Sequence, residues 1–154
     1  QMEENIDAIF IPVGGGGLIS GIATYIKETR PSIKIIGVEP EDSSSMKLSL
    51  EANKQITLDH VGIFADGVAV KRVGDIPFKL CKKYVDEIIT YQTEEDLLDI
   101  LNMVNIDVRI IGAEYKDISF TGRATCAQRG IEIFFNKRDH RFSTSDLRKR
   151  VAEA

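Results

Sequence analysis

The stretch Ile11-Pro12-Val13-Gly14-Gly15-Gly16-Gly17-Leu18-Ile19-Ser20-Gly21 decides the reading of this chain. Before it, residues 7–13 form an apolar run of strand length. Pro12 belongs near the end of that strand, because a proline cannot donate within a ladder. After it, Leu18, Ile19, Ile22, Tyr25 and Ile26 recur at helical spacing, and Pro31 closes a helix over 18–29. Four glycines between a strand and a helix have a physical use. Without Cβ atoms the backbone takes positive φ and lets a ligand approach closely. Its N–H groups can then converge on an anion at the helix N-terminus, where the dipole also favours negative charge. A phosphate is the natural tenant. The alternative is a flexible turn, although four adjacent glycines carry a large entropic cost.

Working outward, residues 33–38 read as a second β-rich run, stopped by Glu39 and Pro40. Ser43 to Ser45 can cap a helix through about Asn53, with Met46, Leu48 and Leu50 on its apolar face. Residues 54–74 are looser, punctuated by Gly62, Gly67 and Gly74. A helix is expected from Asp75 to about Tyr84 and a strand over 86–91. Thr93-x-x-Asp96 is a helix-start signature leading into Leu97, Leu98, Ile100 and Leu101. Residues 106–113 read as another strand. From Ser119 the pattern weakens, with Ile131, Ile133 and Phe135 alternating as a late strand. The alternation predicts an α/β fold: three layers, with a mostly parallel sheet and flanking helices.

A length of 154 residues suits one domain, and 43% hydrophobic with 29% charged residues excludes a disordered or collagen-like chain. No apolar run approaches the ~18 residues of a membrane span. A net charge of −4 argues against nucleic acid as the main partner. Residues 120–150 nevertheless hold eight Lys or Arg against three Asp or Glu. Cys81 and Cys126 make neither a disulfide framework nor a metal pattern, so a reducing, cytoplasmic setting is the default. The start at Gln1, without a basic-plus-apolar leader, reads as a piece of something longer.

Two phosphate motifs can be weighed directly. A P-loop fails because no Gly-Lys-Ser/Thr follows the glycines. A dinucleotide site has an acid, Glu39, about 20 residues on, where a ribose-binding residue belongs. The fingerprint itself is broken in both registers, by Ile19 and by Ser20.

Several stretches then carry a resemblance. Phe10–Leu18 (Phe-Ile-Pro-Val-Gly-Gly-Gly-Gly-Leu), Ile36–Ser43 (Ile-Gly-Val-Glu-Pro-Glu-Asp-Ser), Val61–Gly74 and Asp86–Thr90 occur in that order. From about Ile6 to Thr90 the chain resembles the threonine dehydratase family, fold type II enzymes that use pyridoxal phosphate. The biosynthetic form fits best, with serine racemase and serine dehydratase relatives as close alternatives. The resemblance divides the chain into a phosphate-binding α/β segment, 1–90, and an unassigned α/β continuation with a basic tail, 91–154.

The resemblance implies that Gly14, Gly15, Gly16, Gly17 and the N–H of Leu18 hold the cofactor's phosphate. It places Gly67 in the lining of the cofactor pocket, with a simple turn as the alternative. Serine racemase relatives bind a divalent cation near the position of Glu39, but the partner acid is replaced here by Ser45, so Glu39 reads as a surface acid and no metal is assigned. The family's chemistry converts L-threonine to 2-oxobutanoate and ammonia through a lysine that bonds covalently to the cofactor. That lysine lies in a Ser-Lys-x-Arg-like context upstream of the glycine loop. Lys27, Lys47, Lys71 and Lys79 lack that context and read as solvated surface residues. After Thr90, Ile111-Gly112-Ala113-Glu114-Tyr115 stands where the family has a Glu-Pro-x-Gly-like segment.

The expectation is therefore a dehydratase fragment without its nucleophile, inactive alone and prone to self-association through surface the missing half would cover. The alternative is a non-catalytic phosphate-ligand or nucleotide-binding module. A third reading gives the tail Lys137-Arg138-Asp139-His140-Arg141, Arg148-Lys149-Arg150 and Phe134, Phe135 and Phe142 a nucleic-acid role, against the commoner solvated charge run. His60 and His140, and Asp7 and Asp66, form no persuasive catalytic pairs. Cys81 reads as a small buried hydrophobe.

Overall fold

The computed structural model describes residues 5–62, 65 and 67–137. The sequence readings of Asp66, Arg138 to Phe142 and Arg148 to Arg150 lie outside these residues. The chain divides into two compact units, with the boundary between Asp96 and Leu97.

In the first unit β1 (Ala8–Pro12), β2 (Lys34–Pro40) and β3 (Glu87–Tyr91) form one parallel sheet in the order β1-β2-β3. Ile11 stands opposite Gly37, and Gly37 opposite Ile88. Pro12 ends an edge strand, where its missing donor is tolerated. Helices α1 (Gly17–Thr29), α2 (Ser45–Glu51) and α3 (Asp75–Tyr84) connect the strands. Ile19 and Ala23 of α1 enter a core with Ile11, Val13, Ile35, Met46, Val73 and Cys81. A Cβ on Gly37 would collide with Ile88 and lie 3.0 Å from Ile19 and Val13 side-chain carbons. The middle strand thus admits α1 at close range because it carries no side chain there.

α2 departs from expectation. It covers Ser45–Glu51 rather than 43–53, and no serine side chain caps it. A short 3-10 turn, Glu41–Ser43, precedes it, and Asn53 leaves it with φ of +54°. Residues 52–74 contain no helix or strand among the described residues. Leu58 N–H to Lys71 O (2.9 Å) and Gln55 Nε2 to Val73 O (2.9 Å) hold this segment together.

The second unit begins within the first turn of α4 (Glu94–Met103) and continues through β4 (Val108–Gly112), α5 (Arg123–Arg129) and β5 (Glu132–Asn136). β4 and β5 pair in parallel. The expected helix start is present: Asp96 N–H donates to Thr93 Oγ1 (3.1 Å), and Asp96 Oδ2 accepts from the Gln92 and Thr93 amides. Leu101, Cys126 and Ile131 are buried, and Arg129 Nη1 donates to the Leu101 (2.8 Å) and Asn102 carbonyls. The alternating late strand is β5, with Ile133 and Phe135 half-buried and Phe134 exposed. No helix among the described residues is long and apolar enough to cross a membrane.

Candidate functional site

The glycine loop joins the C-terminal end of β1 to the N-terminus of α1. Val13 is buried and its amide donates to Val38 O at 3.0 Å, fixing where the loop leaves the sheet. Gly16 then takes φ of +85° as the residue before α1, a conformation that costs other residues about 1–2 kcal/mol. Gly14 also has a steric reason to be glycine. A Cβ there would lie 3.1 Å from Val68 Cα and 3.2 Å from Val68 O.

The loop's carbonyls and amides are used differently. Gly15 O accepts from the Gly74 amide (3.1 Å), Gly16 O from the Ser20 amide (3.0 Å) and Gly17 O from Ser20 Oγ (3.1 Å). Among the described residues none of the amides from Gly14 to Leu18 donates to a backbone carbonyl. Because a trans peptide sets C=O and the following N–H in opposite directions, each tethered carbonyl aims the next amide the other way. The amides of Gly16, Gly17 and Leu18 thereby point away from Gly74 and Ser20, which hold the carbonyls of Gly15, Gly16 and Gly17. Helix α1 has no acidic residue in its first turn, so nothing there neutralises its positive end. Gly15, Gly17 and Leu18 are exposed, and a Cβ on Gly15 or Gly17 would meet nothing within 4 Å. Amides that find no backbone acceptor among the described residues, an open approach and a helix N-terminus together suit a dianion.

Three other segments wall the loop. Met46 of α2 and Pro77 of α3 flank Gly16, where a Cβ would lie 2.6 Å from Met46 Cε and 2.9 Å from Pro77 Cβ. Val68 backs Gly14, and its neighbour Gly67 is exposed with open space where a Cβ would point. The structure thus brings Gly14 and Val68 together, and leaves Gly67 one residue from that contact.

Glu39 corrects the sequence reading. It is fully buried, not a surface acid. Its Oε1 accepts the Met46 amide (3.0 Å) and its Oε2 the Lys47 amide (2.9 Å), so the strand-end carboxylate caps α2 in place of the serines. Burial pushes its carboxyl up to about 7, opposed by the Lys47 and Met46 amides and the Lys47 charge. The surrounding serines are buried too: Ser44 Oγ donates to Glu41 O (2.9 Å) and Ser49 Oγ to Ser45 O (2.6 Å). No group of metal-ligating side chains is present among the described residues.

Three of the lysines read as solvated have partners. Lys27 Nζ pairs with Asp86 at 2.7 Å, Lys47 Nζ donates to Thr90 Oγ1 at 3.3 Å, and Lys71 Nζ, though exposed, donates to Asp59 O at 2.9 Å. Lys79 is exposed. Cys81 is fully buried, and burial together with the Glu39 charge pushes its thiol up to about 12. A cavity of about 370 Å³ lies beside Cys81, Leu50, Val85 and Ile88, and none of its lining residues belongs to the glycine loop.

The sequence model of the family described as pyridoxal-phosphate dependent enzyme matches residues 1–116. The chain belongs to that family. Among the pyridoxal-phosphate dependent enzymes, biosynthetic L-threonine dehydratase of Burkholderia multivorans is 53% identical over 94 residues, 61% of this chain and 18% of that protein. The Escherichia coli protein of the same name is 50% identical over 94 residues, again 18% of its length. The chain therefore spans less than a fifth of these curated relatives. The processed form of tomato threonine deaminase isoform 2 superposes with a TM-score of 0.61 at 32% identity, covering 98% of this chain and 45% of that one. Maize serine racemase gives 0.58 at 24% identity, covering 97% of this chain and 47% of that one, a likeness of fold alone. The α/β fold with parallel sheets and flanking helices is thus a pyridoxal phosphate enzyme fold, and the family's cofactor is pyridoxal phosphate. The family match runs past Thr90, through β4.

Proposed function

We propose that this chain is the phosphate-gripping part of a pyridoxal phosphate-dependent ammonia-lyase that acts on L-threonine and yields 2-oxobutanoate and ammonia. One observation carries the reading. Among the described residues the amides from Gly14 to Leu18 donate to no backbone carbonyl, while the carbonyls of Gly15, Gly16 and Gly17 are tied back into the protein. Gly14, Gly15, Gly16, Gly17 and Leu18 would donate to the phosphate, with the α1 dipole adding to the attraction. Gly67 would line the same pocket. When bound, the cofactor supplies an electron sink for charge left at the substrate Cα. The chain's own part is to bind and orient, and in this reading residues 1–90 do so.

None of Lys27, Lys47, Lys71 or Lys79 takes the role of the attachment lysine. On this proposal the chain is inactive until a segment bearing that lysine is supplied. The buried, free thiols of Cys81 and Cys126 go with a reducing, cytoplasmic setting. Exposed Leu18, Tyr25 and Ile76 go with self-association, and a monodisperse monomer in light scattering would count against that part. Against the dinucleotide alternative stands the burial of Glu39, which faces the α2 amides rather than solvent.

The test is titration of the 15N-labelled chain with inorganic phosphate, pyridoxal phosphate and NAD. Shifts of the Gly14–Leu18 amides with the first two ligands, and not with NAD, are expected. Binding of NAD alone, or threonine-dependent 2-oxobutanoate from the chain by itself, would overturn the reading.

A further inference from the structure

Two features described separately meet at one side chain. The Glu39 carboxylate accepts the Met46 and Lys47 amides at 3.0 and 2.9 Å, fixing the first turn of α2. Met46, in that turn, is fully buried, and its Cε lies against the bare Cα of Gly16, where a Cβ would come within 2.6 Å. Gly16 carries the one positive φ of the glycine loop and immediately precedes α1. We propose that Glu39 is a positioning residue for the glycine loop, acting through Met46: by capping α2 it seats the Met46 side chain behind Gly16 and holds the loop's amides in their outward arrangement. The consequence for phosphate binding rests on the function proposed above; the mechanical coupling does not.

The coupling has a physical basis. A seven-residue helix has little stability of its own, so its position depends on what ties down its ends. Here the tie is a buried ionisable side chain from β2, a strand whose register with β1 also sets where the loop departs. One strand therefore fixes the loop at its root, through Val38 and Val13, and at its tip, through Glu39, Met46 and Gly16. Methionine suits the second contact because an unbranched thioether fills an irregular gap beside a glycine. Pro77 confines the other side of the same Cα.

The charged and titratable groups facing Glu39 are Lys47 from α2 and Cys81 from α3. Lys47 Nζ is itself held by Thr90 of β3, so its aliphatic stem bridges α2 and the sheet. Of the α2 side chains, Met46 is the one placed against Gly16.

The experiment uses the whole chain, 15N-labelled and with labelled methionine methyl groups. Glu39→Gln, Glu39→Ala, Met46→Ala and the Glu39→Ala/Met46→Ala pair are compared without ligand and with inorganic phosphate. Glu39→Gln keeps shape and one acceptor oxygen, so it serves where Glu39→Ala does not fold. Expected are displaced Gly16 and Gly17 amide and Met46 methyl resonances in both Glu39 variants. Phosphate affinity should fall about tenfold in Glu39→Ala and less in Glu39→Gln. The double variant should bind about as weakly as either single one, because both remove the same support. Unchanged loop amides in both Glu39 variants, or additive losses in the pair, would overturn the proposal. Displaced loop amides in a chain whose wild type binds no phosphate would uphold the coupling and overturn the phosphate reading instead.

Discussion

Asp86 and Ile35 exchange two hydrogen bonds: the Asp86 amide donates to Ile35 O at 3.0 Å, and the Ile35 amide donates to Asp86 Oδ2 at 2.7 Å. A side chain thus completes the ladder one residue before β3 begins. Lys27 of α1 closes on the same carboxylate at 2.7 Å, joining helix, middle strand and third strand at one point.

Burial opposes ionisation of Asp86, but the Ile35 amide and Lys27 prevail and hold its carboxyl below the ordinary 3.8. A depressed carboxyl adds stability above its unfolded value, and that stability is lost as pH falls through the folded value. Asp86→Ala is expected to lower stability in urea melts at pH 7 by about 1–2 kcal/mol, with the difference shrinking below pH 3.8. An equal difference at pH 7 and pH 2.5 would contradict this account.

Gly16 and Gly17 are adjacent and should respond oppositely to alanine. Gly16→Ala forces a side chain into the left-handed region and against Met46 and Pro77, at a cost of about 2–4 kcal/mol. Gly17→Ala adds a methyl group to the first helical residue with nothing nearby, and stability should hold or rise by up to about 1 kcal/mol. The same methyl group crowds an outward amide, so phosphate affinity should fall. Thermal melts paired with phosphate titrations separate the two effects.

Stability should also fall with rising pH because of Glu39. Its carboxyl titrates at about 7 in the fold against 4.5 ordinarily, so between those values the folded chain binds the extra proton. Folding therefore weakens through that window, by about 3 kcal/mol for this group. Glu39→Gln cannot titrate and should lose that slope. A wild-type stability profile parallel to that of Glu39→Gln from pH 4.5 to 7 would refute the assignment.

Thr93→Ala removes the hydroxyl that accepts the Asp96 amide and should cost about 1 kcal/mol. Thr93→Ser keeps that acceptor and should recover most of the loss in the same urea melt.

The elements with strong local signals were legible in the sequence. The apolar run to Val13, the helix from Leu18, the Asp75–Tyr84 helix and the Thr93–Asp96 start each rest on residues close in the chain. What escaped depends on distance or brevity. Nothing near Ser45 announces that its helix is capped by a carboxylate several residues back on a strand, so local sequence points to the three serines as caps and to Glu39 as a surface acid. α5 has seven residues and a weak apolar face; its signal is the pair Gly122 and Gly130, both at positive φ and bracketing it. Within the candidate site the glycines were legible because backbone freedom is written in composition. The inward tethering of their carbonyls by Gly74 and Ser20 was not, since Gly74 is remote in sequence.

The bare Cα of Gly37 carries a consequence for redesign. The side-chain tips of Ile88, Ile19 and Val13 already occupy the room a Cβ would take, so even alanine must displace Ile88 first and crowd the other two. Ile19 sits in the first turn of α1 and Val13 at the root of the glycine loop, so that crowding presses on both ends of the loop at once. Attempts to stiffen this fold should leave that vacancy alone.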